Sequence, residues 1–342
     1  MSAVRTAVIG VGALGYHHAR ILRELPGSNL VGVHDSNSGR LAEVGAQLDV
    51  ATFAKASELL DQVDACVIAV PTQAHEGAAL EALTRGVHVL IEKPIAPSID
   101  AADRILAAAA GADAIVQIGH VERFNGAVRA CEPWLDDPLF VESHRLAPFN
   151  PRGTDVAVVL DLMIHDLDLV LSIMKRPVVS LAAVGVPVLT RSPDIANARL
   201  EFEGGGVANL TASRVSIKRE RKIRFFQRSG YLSLDLAAGT GEFLRLRPGI
   251  DVEARMAALA AGADAGSAGD LPLAAGLLEI VERIPLQGDG VEPLRPELES
   301  FLAAVRGEGE VAVTGEDGRR ALAVALEIVE HMRTHVADRE TS

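Results

Sequence analysis

The sequence contains little cysteine, few aromatic residues and no long apolar run. Its 342 residues include two cysteines and one tryptophan, and aromatic residues make up 4% of the chain. Cys66 and Cys131 are far apart and lack the spacing of a metal or redox motif, which predicts reduced thiols in a cytoplasmic protein. No apolar run is long enough to cross a bilayer, and a strand pattern begins almost at once, so we expect neither a signal peptide nor a membrane anchor.

Positive charge is also scarce. The chain has 33 lysines and arginines against 46 aspartates and glutamates, which gives a formal net charge of −13. Nucleic acids and anionic membranes are bound by clustered Lys and Arg, so this balance argues against both as partners. An anionic small molecule would have to meet arginines placed locally in its site.

The first third of the chain alternates short apolar runs with helical patterns. Between Thr6 and Gly119 these runs, among them TAVIG, DACVIAVP and VHVLIEK, are rich in Val, Ile and Ala and show no polar alternation. Such runs indicate strands that are covered on both faces, as in a parallel sheet flanked by helices. We therefore predict an α/β protein whose N-terminal domain, residues 1–121, is a Rossmann-type, doubly wound parallel sheet.

After about Glu122 the pattern changes to longer strands joined by hairpin signals. EGGG at Glu203–Gly206 and SG at Ser229–Gly230 are typical of turns between antiparallel strands. We predict a second, α+β domain, residues 122–342, with a large, mostly antiparallel open sheet.

Three helical patterns accompany this second sheet, at residues 155–174, 297–305 and 316–332. Thr314 and Asp317 have the spacing of a capping box at the start of the last one. We expect that C-terminal helix, 316–334, to pack back on the first domain. The Ala- and Gly-rich stretch 256–270 has no amphipathic stripe and is predicted to be a mobile connection.

The sequence GVGALG places Gly10, Gly12 and Gly15 directly after the strand TAVI and at the start of a helical pattern. Glycines at this spacing allow a tight turn and a close approach of the backbone to a pyrophosphate, which a helix N-terminus attracts. Three glycines could serve the turn alone, but Asp35 ends the next strand about twenty residues further on, where an acidic residue binds the ribose. A carboxylate repels a 2′-phosphate, so Asp35 favours NAD over NADP, with Arg40 close enough in sequence to be recruited.

A narrow polar stripe runs along the apolar pattern at 155–174. Asp161, His165, Asp168 and Ser172 are spaced to share one helix face, whereas Asp166 falls elsewhere on the wheel. Such a stripe is usually a solvated face, but a solvated face normally carries lysine or glutamate, and none occurs here. An imidazole one turn from a carboxylate has the arrangement of a general base, so we predict a catalytic pair of Asp161 and His165, with Asp166 as a structural or substrate contact.

The stretch HVLIEKPIA ends a buried strand with a charged pair and a proline. Ligands of open parallel sheets bind beyond the carboxyl ends of the strands, which is where Lys93 falls. Its stem could instead pack on the sheet rim while its amine reaches water. Pro94 restricts the preceding residue to extended geometry and so favours an aimed Lys93.

These motifs together resemble the Gfo/Idh/MocA oxidoreductase family. GVGALG, AVPT at Ala69–Thr72, EKP at Glu92–Pro94, and Asp161 with His165 four residues on occur in the family's order. Within it, stretches such as GHVERFNGAVRA are most similar to members that oxidise the 3-hydroxyl of UDP-N-acetylglucosamine, with Gly126 standing where a proline is common. Dehydrogenases of free polyols or simple sugars, and non-catalytic NAD-binding regulators of the same fold, are the alternatives.

The resemblance implies a role for each matching residue. Lys93 would contact the reacting hydroxyl and His165 would accept its proton, supported by Asp161. The residues implied to surround NAD are Gly10, Gly12, Ala13, Leu14, Gly15, Asp35, Ser36, Val70, Pro71, Thr72, His75, Glu92 and Lys93.

A sugar carrying a diphosphate would need local cations and polar groups. The residues predicted to contact this substrate are His120, Arg123, Asn125, Arg145, Arg152, His165 and Arg214. The basic run KRERKIR, 218–224, is more typical of a solvated sheet edge and is left out of the predicted site. His17, His18 and His75 have no metal-ligand spacing, so no metal is expected. Family members commonly associate through the outer face of the C-terminal sheet, which implies a homodimer or homotetramer.

Overall fold

The computed structural model describes residues 3–150, 156–263 and 280–340. Its first sheet has six parallel strands in the order β3-β2-β1-β4-β5-β6. These strands are β1 Val4–Ile9, β2 Ser28–His34, β3 Thr52–Phe53, β4 Ala65–Ile68, β5 His88–Glu92 and β6 Val116–Gly119. The helices between and after them are α1 Ala13–Glu24, α2 Ser38–Leu48, α3 Ala56–Leu60, α4 His75–Leu83, α5 Ile99–Ala112 and α6 Gly126–Cys131.

The order of these strands reverses between β1 and β4, which opens a crevice at their carboxyl ends. All four residues of β4 are buried, because helices cover both faces of the sheet. Burial of the strands on both faces thus explains why their apolar runs show no polar alternation, as predicted.

The second sheet has eight strands in the order β14-β13-β12-β11-β7-β10-β9-β8. Among the described strand pairs of this second sheet only β7–β10 is parallel, so the predicted fold class is confirmed. The turns predicted at Glu203–Gly206 and Ser229–Gly230 connect β9 to β10 and β11 to β12. The strands are β7 Phe140–Leu146, β8 Val178–Val186, β9 Ile195–Phe202, β10 Val207–Ser213, β11 Glu220–Gln227, β12 Gly230–Asp235, β13 Thr240–Leu246 and β14 Val281–Gln287.

One face of this sheet is apolar and forms the second core. Buried residues alternate along β7, β9 and β10, and they pack with apolar residues of the helix that crosses the sheet. That helix was predicted as one unit over 155–174. The structure instead has a π-helical segment, Val159–Met163, followed by α7, Ile164–Met174.

Three further helices complete the described chain: α8 Val252–Ala263, α9 Leu294–Val305 and α10 Gly315–Glu340. The stretch predicted to be a mobile connection from residue 256 is helical as far as Ala263, the end of α8. The rest of that stretch, 264–270, lies outside the described residues. None of the helices described is long and apolar enough to cross a membrane.

The last two helices both pack against the first sheet, and the final one also reaches the second. Leu298, Phe301 and Leu302 of α9 are buried in the core against β1 and β2. Helix α10 packs against α5 and β6 on one side and against α7 and β8 on the other. Because the chain returns to the first sheet here, the domain boundary at 121/122 remains a prediction.

The predicted capping box at the start of α10 is confirmed. The Thr314 hydroxyl accepts a hydrogen bond from the Asp317 N–H at 3.1 Å, and the Asp317 carboxylate accepts one from the Thr314 N–H at 3.2 Å. Each side chain thus satisfies a backbone donor that the first helical turn leaves without an intrahelical partner.

Candidate active site

The glycine turn between β1 and α1 leaves its backbone open to an incoming group. Gly10 has a φ of +88°, and a Cβ there would lie 2.8 Å from the carbonyl oxygen of Ala69. A Cβ on Gly15 would collide with the carbonyl oxygen of Gly10, whereas a Cβ on Gly12 would meet no atom within 4 Å. Packing therefore requires the two outer glycines, and the middle one leaves space in front of the turn.

The N-terminus of α1 faces that space. The helix begins at Ala13, followed by the exposed Leu14, and no side chain in the described residues caps it. Free N–H groups at a helix start attract an anion. The turn thus fits the pyrophosphate of a dinucleotide.

Asp35 lies at the end of β2 and borders the same space. Its carboxylate accepts hydrogen bonds of 2.8 Å from the backbone N–H groups of Val11 and Asn37. Arg40 donates to the carbonyl oxygen of Val11 at 2.8 Å, so a cation lies beside the turn as well. Ser36 is exposed next to Asp35.

The loop after β4 forms the opposite wall. Val70 and Thr72 are half-buried and Pro71 is exposed, beside the glycine turn. His75 is buried, and its two ring nitrogens lie 2.9 Å from the carbonyl oxygens of Val70 and Pro94. His75 therefore connects the loops after β4 and β5 and has its ring nitrogens engaged within the protein, which does not favour its predicted cofactor contact.

The Glu92 carboxylate is turned into the protein. It accepts a hydrogen bond of 2.7 Å from Nε2 of the fully buried His18 and one of 3.2 Å from the Lys93 N–H. Burial by itself would raise the pKa of Glu92, but the hydrogen bond from His18 keeps that pKa below its usual value. Glu92 thus positions the backbone of Lys93, and its predicted contact with the cofactor gains no support from this geometry.

Lys93 reaches across to the π-helical segment. Its Nζ donates to the carbonyl oxygen of Asp161 at 2.8 Å and lies 3.8 Å from the Asp161 carboxylate. The Lys93–Pro94 peptide bond, whose state the sequence leaves open, is cis. Burial lowers the pKa of Lys93, while the charges of Asp161 and Glu92 oppose that change. Single π-helical turns are rare in proteins, and those that occur are often at functional sites.

His165 lies in the first turn of α7, near Lys93. Burial lowers its pKa well below the usual value, and the charges of Lys93 and Arg145 lower it further. The ring is therefore neutral at pH 7, the state in which it can accept a proton. Its Nδ1 has no hydrogen-bond partner among the described residues, so no bond from that nitrogen reaches Asp161.

His120 follows β6 and is 1% exposed. Both of its ring nitrogens are buried without a partner in the described part of the chain, which is rare for a native structure. Burial lowers its pKa, and the charges that act on it include those of Asp168 and Lys93. His120 and His165 thus offer three unpartnered nitrogens around one lysine.

The predicted substrate arginines that the structure describes are already paired with carboxylates. Their closest pairs are Arg123 with Asp168 at 2.6 Å, Arg145 with Asp166 at 2.6 Å and with Glu122 at 2.9 Å, and Arg214 with Asp194 at 2.9 Å. These matched charges disfavour the prediction that the three arginines hold an anionic substrate. Arg152 lies outside the described residues.

Some residues of the polar stripe, and Asn125, make hydrogen bonds within the protein. Asp168 is buried and binds Arg123, and the Ser172 hydroxyl donates to the carbonyl oxygen of Leu169 at 2.8 Å. The Asn125 amide donates to the Glu122 carboxylate at 2.9 Å and caps α6. The four residues of the stripe therefore do not act as one group.

Arg221 lies next to these residues, although the sequence placed it outside the predicted site. Its positive charge is among those that lower the pKa of His165, and its guanidinium lies 3.6 Å from Glu122. It belongs to the run KRERKIR, which was predicted to be a solvated edge. Strand parity was the available signal, because Arg221 shares its face of β11 with the apolar Ile223 and Phe225.

A separate cavity of about 770 Å³ lies beside the C-terminal end of α7. Its arginines Arg123, Arg129 and Arg176 are paired with Asp168, Asp289 and Asp137, and it contains neither Lys93 nor His165. It is not the site described above. Within the described ranges no group of three or more His, Cys, Asp or Glu is arranged to hold a metal ion.

The reversed strand order and the open glycine turn are those of a dinucleotide-binding fold. The family model described as "Oxidoreductase family, NAD-binding Rossmann fold" matches residues 4–120, and the "GFO/IDH/MocA C-terminal domain" matches residues 117–233. The chain belongs to the Gfo/Idh/MocA oxidoreductase family, as its motifs implied.

Individual proteins with similar sequences or structures are also sugar or inositol dehydrogenases. UDP-N-acetylglucosamine 3-dehydrogenase of Acidithiobacillus ferrooxidans is 36% identical over 329 residues, which cover 96% of this chain and 97% of that protein. A solved structure of that enzyme has a TM-score of 0.85 and covers 98% of this chain and 99% of its own. The scyllo-inositol 2-dehydrogenase (NAD(+)) of Bacillus subtilis is 26% identical over 62% of this chain and 68% of its own length.

Proposed function

We propose that this protein oxidises the 3-hydroxyl of UDP-N-acetylglucosamine to a ketone with NAD. The observation that carries the proposal is the position of Lys93 at the carboxyl edge of the first sheet, where its Nζ donates to the carbonyl oxygen of Asp161 and its charge helps to keep His165 neutral. The 36% identity over nearly the whole chain to a UDP-N-acetylglucosamine 3-dehydrogenase supports the choice of sugar.

The site residues divide the work of this reaction. The turn from Gly10 to Gly15 would hold the cofactor pyrophosphate, and Asp35 would accept hydrogen bonds from its ribose. Lys93 places a positive charge beside the reacting oxygen, which stabilises the alkoxide that develops there. The neutral ring of His165 accepts the hydroxyl proton. NAD, when bound, supplies the acceptor for the hydride that leaves the sugar carbon.

The preference for NAD over NADP rests on Asp35. Its carboxylate borders the turn and would repel a 2′-phosphate. Arg40 lies nearby, but it also donates to the main chain of the turn, at Val11. We also propose a cytoplasmic location, because both cysteines are free and buried.

A homodimer or homotetramer through the second sheet stays part of the proposal. The exposed apolar side chains on its outer face that support it include Val184 and Val186 of the edge strand β8. Polar residues such as Asn197, Arg199 and Thr211 occupy the neighbouring strands, which makes the apolar area small. Light scattering of the purified protein measures the number of subunits.

The proposed reaction is tested by following nicotinamide absorbance with NAD and a panel of substrates. UDP-N-acetylglucosamine should give turnover, whereas myo-inositol, scyllo-inositol and glucose should give little. Addition of a keto-acid acceptor controls for cofactor that stays bound between turnovers. Turnover with a polyol alone would indicate the polyol dehydrogenase alternative, and no turnover with any member would favour a binding protein.

A further inference from the structure

The arginines around the site differ in how completely their charge is matched. Arg145 lies 2.6 Å from Asp166 and 2.9 Å from Glu122. The one acidic group within ion-pair distance of Arg221 among the described residues is that same Glu122 oxygen, at 3.6 Å. Arg221 therefore carries a positive charge that the described part of the chain matches only weakly.

The register of β11 places the Arg221 side chain on the inner face of the sheet. In the antiparallel β7–β11 pair, Arg221 lies directly opposite Arg145. Ile223 and Phe225 follow Arg221 at alternate positions and are buried in the core, so Arg221 points to the same side as the site. Like charges directly opposite each other destabilise a sheet, which makes this position one that an added anion would stabilise.

The surroundings of Arg221 are positive and accessible. Burial lowers its pKa, and the charges of Arg145 and the exposed Arg219 lower it further against the opposing effect of Glu122. Its side chain is 43% exposed, so it can reach a molecule that enters from solvent. Its guanidinium lies 3.6 Å from Glu122, the carboxylate that also binds the buried Arg145, and its charge is among those that lower the pKa of His165.

We propose that Arg221 is a substrate-binding residue that holds the diphosphate of a nucleotide sugar at the mouth of the site. This inference rests on the proposed function, in which the sugar hydroxyl lies between Lys93 and His165. A guanidinium donates two parallel hydrogen bonds to the charged oxygens of a phosphate. A neutral polyol has no charged oxygens to accept them. The cofactor pyrophosphate belongs at the glycine turn on the first sheet, so the anion at Arg221 comes from the sugar substrate. Arg221 therefore selects nucleotide sugars over neutral sugars.

The matched variants are Arg221→Gln and Lys222→Gln. Each removes one positive charge from β11, but Lys222 lies on the opposite, outer face of the sheet. Arg221→Gln should raise the KM for UDP-N-acetylglucosamine by about tenfold to a hundredfold, the loss typical of one charged hydrogen-bonding group. Its kcat should change little, and Lys222→Gln should behave as the unchanged protein.

Salt provides a second readout for the kinetic arm. The KM of the unchanged protein for UDP-N-acetylglucosamine should rise with added NaCl, and that dependence should weaken in Arg221→Gln. Equal KM values and equal salt dependence in the two variants would overturn the inference. Because Arg221 is partly exposed and lies opposite a like charge, Arg221→Gln should unfold at a temperature no lower than the parent.

A binding arm separates this inference from the proposed function. UDP is titrated by calorimetry into the full chain saturated with NADH, which occupies the cofactor site. If UDP binds and Arg221→Gln weakens it by about tenfold or more, the diphosphate site is supported even where UDP-N-acetylglucosamine gives no turnover. If UDP fails to bind the unchanged protein, or binds both variants equally, Arg221 is not that site.

Discussion

Lys93 is held mainly by a main-chain oxygen and only weakly by a carboxylate. Its Nζ is 2.8 Å from the carbonyl oxygen of Asp161 and 3.8 Å from the carboxylate of the same residue. A carbonyl fixes the position of the ammonium group without neutralising its charge. The charge thus remains able to stabilise an alkoxide, while Glu92 fixes the backbone of Lys93 from the other side.

Removal of either reacting side chain should strongly reduce turnover while the cofactor still binds. Lys93→Met and His165→Ala are each expected to lower kcat by about a hundredfold to ten-thousandfold, because charge stabilisation and proton acceptance act in the transition state. NADH fluorescence titration should give a dissociation constant close to that of the parent. Lys175→Met, at an exposed residue just after α7, is the control. If Lys93→Met had the same kcat as Lys175→Met, the proposed role of Lys93 would be contradicted.

The pH profile should report the unusual environment of His165. Its protonation removes the proton acceptor, so the rate falls as pH drops through its pKa. Burial and the neighbouring cations lower that pKa, which places the acid limb of kcat/KM below the ordinary histidine value of 6.5. The measurement is kcat/KM against pH in the presence of saturating NAD. An acid limb centred above pH 6.5 would mean that another group controls proton transfer.

At the scale of elements, two glycines of the turn should have different roles, Gly15 in protein stability and Gly12 in cofactor binding. A Cβ at Gly15 collides with the backbone of Gly10, and α1 would have to move, whereas a side chain at Gly12 enters the open space. Gly15→Ala should therefore lower the unfolding temperature without cofactor. Gly12→Val should keep that temperature within a few degrees of the parent yet lose NADH binding, as measured by thermal unfolding and fluorescence titration. Loss of folding in Gly12→Val would show that its space is needed by the protein itself.

Elements whose signal lies in local sequence could be predicted. The parallel sheet followed from its apolar runs, and the start of α10 followed from the spacing of Thr314 and Asp317. The π-helical turn at 159–163 left no such signal, because its change of hydrogen-bond pattern does not alter the side-chain types.

Pairing between distant elements could not be predicted either. Arg145 was expected to face substrate, yet its partners Asp166 and Glu122 come from α7 and the loop after β6. For Arg221 the alternation of residues along a strand was a usable signal, although the run KRERKIR is typical of a solvated sheet edge. The partners of Arg145 depended instead on which distant elements pack together, which a single sequence does not fix.

At the scale of the whole molecule, α9 buries an acid in the first sheet's core. Glu297 is 0% exposed, and neither oxygen of its carboxylate has a hydrogen-bond partner among the described residues. Burial, followed by the charge of Glu92, raises the pKa of Glu297 well above its ordinary value of 4.5. The folded protein thus holds a proton that the unfolded chain releases.

The stability of the protein should therefore depend on pH through Glu297. Above pH 4.5 the unfolded chain loses this proton while the folded state keeps it, so the free energy of unfolding falls by about 1.4 kcal/mol for each pH unit until the folded pKa is reached. Glu297→Gln removes the titrating group with little change in volume, and its unfolding temperature relative to the parent should rise between pH 5 and pH 8. Glu299→Gln, at an exposed position on the same helix, should show no such trend. A difference between Glu297→Gln and its parent that stays constant over that range would mean that Glu297 does not keep its proton in the folded protein.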